Sequence, residues 1–72
     1  MADILKFTHL GYTGIAEWEP DDECYSGTVR MTRDLVVFEG PTLEAAEKEF
    51  RTSLDVYLEW CAERGLPPAP PA

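Results

Sequence analysis

Basic side chains are scarce in this chain of 72 residues: 6 Lys and Arg stand against 14 Asp and Glu, a formal net charge of −8. Proteins that grip a phosphate backbone do so with clustered Lys and Arg, so the shortage argues against direct nucleic-acid binding by this chain and fits a basic partner. Histidine occurs once, as His9, and cysteine twice, as Cys24 and Cys61. That set offers no C-x-x-C pair and no His/Cys cluster of metal-ligand spacing, so no metal or cofactor is expected. The thiols read as reduced small hydrophobes, with a structural disulfide as the other option. Apolar runs are short. Nothing approaches the ~18 consecutive apolar residues of a membrane span, and residues 1–7 carry charges that do not suit a signal peptide. The expected address is the cytoplasm, with no membrane contact.

What is present is enough to fold. Hydrophobic residues make up 44%, among them 3 Phe, 3 Tyr and 2 Trp, too many for a disordered chain. The length allows one domain, and a domain of this size buries only ~60% of its unfolded surface. Its core is therefore marginal, and oligomerisation is a usual remedy.

Residues 7–18 mix β-branched and aromatic side chains with Gly11 and Gly14, which predicts one long strand with a bend or bulge. Glu19-Pro20-Asp21-Asp22 is a turn. Residues 24–31 alternate, with Tyr25, Gly27, Val29 and Met31 on one face and Cys24, Ser26, Thr28 and Arg30 on the other. After a connection at Thr32-Arg33-Asp34, Leu35-Val36-Val37-Phe38 makes a third strand, apolar on both faces. At Leu43 the period changes: Leu43, Ala46, Phe50, Leu54, Tyr57, Leu58 and Cys61 recur at helical steps. Thr42 is the expected N-cap and Gly65 the C′ residue, and Arg64 is expected to match the dipole in the last turn. Glu44–Lys48 and Glu47–Arg51 are favourable pairs. The fold class predicted is α+β: a three-stranded antiparallel meander packed by one long C-terminal helix. Residues 1–66 form the domain, and residues 67–72 are a Pro-rich tail, either a plain terminus or a polyproline ligand.

A helix of about 22 residues runs ~33 Å, and a seven-residue strand only ~23 Å. The helix should lie diagonally or overhang its sheet. One helix also covers one sheet face only, so apolar surface is left for self-association or a partner. Asp55, Glu59 and Glu63 make a row of like charge on the late helix, read either as a solvated face or as a row aimed at another protein's Lys and Arg. With Tyr57, Leu58 and Trp60 they are the candidate interface, for a partner or a second copy. Glu17, Glu19, Asp21, Asp22 and Glu23 form a secondary acidic cluster at the first turn.

No residue pattern calls for catalysis. His9 is alone, no Ser or Cys sits in an activating motif, and no Gly-rich loop precedes a helix. The chain is read as non-enzymatic. A vestigial metal-dependent hydrolase built from converging carboxylates is the outlying alternative.

Gly11-Tyr12-Thr13-Gly14, Gly27-Thr28-Val29, and the run from Asp34 through Phe38-Glu39-Gly40 to Thr42 form an ordered series. Phe50, the run Leu54-Asp55-Val56-Tyr57-Leu58-Glu59, and then Cys61, Gly65 and Pro67 complete it. Over residues 5–68 the series resembles the N-terminal domain of the HicB family of antitoxins. The resemblance implies a degraded RNase H-like fold without nuclease activity, whose partner is a small basic mRNA-cleaving toxin of HicA type, neutralised by masking its site. It also implies a C-terminal DNA-binding domain, which the prolines after Gly65-Leu66 do not continue into. An orphan oligomeric scaffold or regulator without a toxin is the second reading.

Overall fold

The computed structural model describes residues 4–72; residues 1–3, the start of the stretch read as lacking a leader, lie outside the described residues. Four strands are followed by one helix: β1 Ile4–His9, β2 Tyr12–Glu19, β3 Cys24–Arg30, β4 Val36–Gly40 and α1 Leu43–Glu63. The sheet is antiparallel in the order β1-β2-β3-β4.

The α+β class stands, but the count of three strands is corrected to four. The stretch read as one bent strand is a hairpin. His9 pairs with Tyr12, leaving Leu10 and Gly11 as a two-residue turn with φ of 52° and 83°. Positive φ at both central residues is the type I′ geometry whose twist matches the flanking strands. Glycine takes it freely, but leucine does not, and that disguised the turn. Gly14 does something else. A Cβ there would lie 2.7 Å from the Phe50 ring, so its bare backbone is what lets that ring lie against the sheet.

The alternation read in β3 holds, and it propagates across the sheet. Phe7, Tyr12, Ala16, Val29, Val36 and Phe38 point inward and bury with Ala46, Phe50 and Leu54 of α1. Phe50 stacks on Phe7 at 5.9 Å between centroids and tilts against Phe38 at 5.3 Å. The opposite face of the sheet has no element packed on it among the described residues. Val37 points that way and is 61% exposed.

Thr42 caps α1 as expected, its hydroxyl accepting from Ala45 N at 3.1 Å. At the other end Gly65 has φ 65°. Leu66 N donates to Cys61 O at 2.9 Å and Gly65 N to Ala62 O at 3.2 Å, the two bonds of a Schellman stop. Arg64 is the C-cap, not a residue of the last turn. Its guanidinium stacks over Trp60 instead, 4.4 Å from the ring centroid. Of the two predicted helical pairs, Glu47–Arg51 closes at 3.2 Å; Glu44–Lys48 is not within ion-pair distance.

A helix of 21 residues runs about 31 Å, so it overhangs strands of five to eight residues. The overhang gives the molecule a long axis of 40 Å against 19 and 18 Å. The tail fills the space beneath it. Thr32 N donates to Pro70 O at 3.1 Å, Ala72 N to Arg30 O at 3.3 Å, and Met31 bridges Pro71. The residues read as a plain terminus or a polyproline ligand thus extend the backbone pairing of the body.

Candidate functional site

The late helix carries six candidate interface residues, and the fold divides them. Tyr57 and Leu58 turn inward, since Leu54 and Cys61 at helical spacing place both beside the buried stripe. Both are half-buried against the core, as their place in the apolar stripe leads one to expect. Tyr57 is the centre of a clamp on the tail. Its hydroxyl accepts from Ala69 N at 2.8 Å and donates to Asp34 Oδ2 at 2.5 Å. Tyr12 OH donates to Ala69 O at 2.6 Å, so both backbone groups of fully buried Ala69 are satisfied by phenols. Burial, and then the bond to the Asp34 carboxylate, pushes the Tyr57 phenol up to about 12. Asp34, Tyr12 and Ala69 were invisible as partners in the sequence, because 12 to 57 residues separate the bonded groups.

Asp55 is also engaged within the chain. His9 Nε2 lies 2.9 Å from its Oδ1, while the imidazole meets the Phe50 ring edge-on. Glu59, Trp60 and Glu63 remain outward. Trp60 is 44% exposed, and Val56, one helical turn before it, is 59% exposed. These two form an apolar strip along α1, with the carboxylates of Glu59 and Glu63 on the adjoining helix row. Below Trp60, a groove of about 290 Å³ is lined by Arg33, Asp34, Cys61, Leu66 and Pro67.

The second acidic cluster lies at one end of the uncovered sheet face. Glu17 and Glu19 project from β2 on that face, while Asp21, Asp22 and Glu23 occupy the exposed connection to β3, where Glu23 has φ 51°. Pairing adds a member that sequence reading missed: Ser26 lies across from both Glu17 and Glu39. Cys24 sits among them as a free thiol. Burial pushes that thiol up, and the carboxylates of Glu39, Asp22 and Glu19 push it further. A depression of about 740 Å³ runs over this face past Ile15, Thr28 and Val37 and around the β4 edge to Glu49 and Ser53.

Among the described residues, no three His, Cys, Asp or Glu side chains converge as metal ligands would. Nor is any helix there long and apolar enough to cross a membrane. What the arrangement offers is protein-docking chemistry: a tryptophan strip flanked by carboxylates, and an open sheet face with an acidic end. Comparison with family models, with curated proteins and with solved structures finds no match to this chain.

Proposed function

We propose that this chain is a non-enzymatic protein-binding module of the HicB antitoxin type, which neutralises a small basic mRNA-cleaving toxin by covering its active site. The observation that carries the reading is the outward strip of Val56 and Trp60 beside Glu59 and Glu63. Interfaces draw most of their energy from a few anchors, tryptophan foremost. Carboxylates around such an anchor steer a basic partner and fix its register. A four-stranded sheet backed by one helix is also compatible with the degraded RNase H-like fold that the resemblance implies. The order of motifs through Gly-Tyr-Thr-Gly, Phe-Glu-Gly and the late helix supports the family.

The test is capture from the native cell followed by binding kinetics. A small basic ribonuclease should co-purify with the chain, and the chain should suppress its cleavage of mRNA. Trp60→Ala should weaken the complex at least tenfold, and the association rate should fall steeply with added salt. Capture of no basic protein, or an on-rate indifferent to salt, would refute the reading.

A further inference from the structure

The sheet face opposite α1 carries a charge gradient along its strands. Arg30 stands at one end, Ile15, Thr28 and Val37 form a row across the middle with Lys6 at its β1 edge, and Glu17 and Glu39, with Glu19 beyond, stand at the other end. None of Arg30, Glu17 and Glu39 makes an ion pair among the described residues. We propose that this face binds the same face of a second copy, about a two-fold axis lying in the face and perpendicular to the strands.

The charges select that axis. Arg30 and Ser26 lie two residues either side of Thr28 on β3. A two-fold through the row of Ile15, Thr28 and Val37 lays that row on its own equivalent. It brings Arg30 over Ser26 of the second copy, between the carboxylates of Glu17 and Glu39 that flank Ser26 on the neighbouring strands. Sheets pack face to face ~10 Å apart, a gap that an Arg and a Glu side chain bridge together. A two-fold parallel to the strands would stack Glu17 and Glu39 on themselves, and like charges opposed cost affinity. The first arrangement joins the apolar row to itself and sets Arg30 against two carboxylates; its one like-charge approach is Lys6 to its own equivalent at the β1 edge, where Lys6 is exposed. Sheet pairing uses none of Val56, Glu59, Trp60 or Glu63, so the inference does not rest on the proposed partner, and both surfaces can be filled at once.

Sedimentation velocity over a hundredfold concentration range tests this, with circular dichroism to confirm that each variant folds. The unmodified chain should dimerise. Arg30→Glu should weaken the dimer at least about tenfold, as should Glu17→Lys with Glu39→Lys. Combining all three substitutions inverts the gradient and should return the dissociation constant to within about threefold of the original. Val37→Thr, a near-isosteric change, should weaken the dimer without touching charge. A monomer at every concentration overturns the proposal. So does a folded triple variant that fails to recover, or a dimer that Trp60→Ala dissolves and Arg30→Glu leaves intact.

Discussion

Replacing Tyr57 with Phe removes one oxygen and tests how the tail is held. The ring stays, so packing against Leu54 and Cys61 is nearly unchanged. Two hydrogen bonds go: the one accepted from Ala69 N at 2.8 Å and the one donated to Asp34. The Asp34 carboxylate is exposed and regains water, so its loss costs little. Ala69 is fully buried, and an amide left there without a partner costs about 1–3 kcal/mol. A domain of 72 residues has about 4–11 kcal/mol in total, so a loss near 2 kcal/mol is a large share. At about 4–8 °C per kcal/mol for a chain of this size, Tm should drop by roughly 8–16 °C. Urea unfolding should show a lower midpoint with an unchanged slope, and the Ala69 amide should exchange with solvent much faster. Tyr12→Phe strips the donor from Ala69 O instead. Under-satisfied carbonyls are better tolerated than orphaned amides, so its cost should be smaller, about 1 kcal/mol. A Tyr57→Phe loss below ~0.5 kcal/mol with the Ala69 amide still protected would refute the clamp.

The same phenol has a pH signature. Because Tyr57 titrates near 12 when folded and near 10 when unfolded, the unfolded chain loses this proton first; stability should be intact below pH 10 and fall between pH 10 and 12. Urea midpoints across that window should show the fall, and Tyr57→Phe should flatten it. Gly14→Ala drives a methyl to within 2.7 Å of the Phe50 ring and should cost about 1–3 kcal/mol by overpacking, read as a lower Tm. Leu10→Asn puts a side chain that tolerates positive φ into the first turn; thermal unfolding should show a gain of about 0.5–1 kcal/mol. Thr42→Ala removes the oxygen that caps α1 and should cost about 1 kcal/mol in the same assay.

The helix was legible from one end to the other because all its signals are local. Threonine before it, glycine after it and apolar steps of three and four between them need no knowledge of the rest of the chain. The alternation in β3 was legible for the same reason. The first hairpin was not, because a turn of this type is announced by Asn-Gly or Asp-Gly. Here Leu10 occupies the position, and strand pairing holds it at a φ that leucine avoids. The candidate interface was half legible. Spacing along the helix separates Glu59, Trp60 and Glu63 from the core, but it cannot say that Tyr57 would meet a tail or that Asp55 would meet His9 from β1.

Local chemistry therefore set the class of elements, the caps of α1, the alternating faces of β3 and the acid excess. Those depend on propensity, periodicity and composition, which act over a few residues. Tertiary structure decided what those elements do to one another. It filled the overhang of α1 with the proline-rich tail, because a helix longer than its sheet leaves apolar side chains such as Cys61 beyond the reach of the strands, for a distant segment to cover. It gathered Glu17, Glu19 and Glu39 at one end of an open face and set Arg30 at the other, because strand register, unlike charge count, determines which side chains become neighbours.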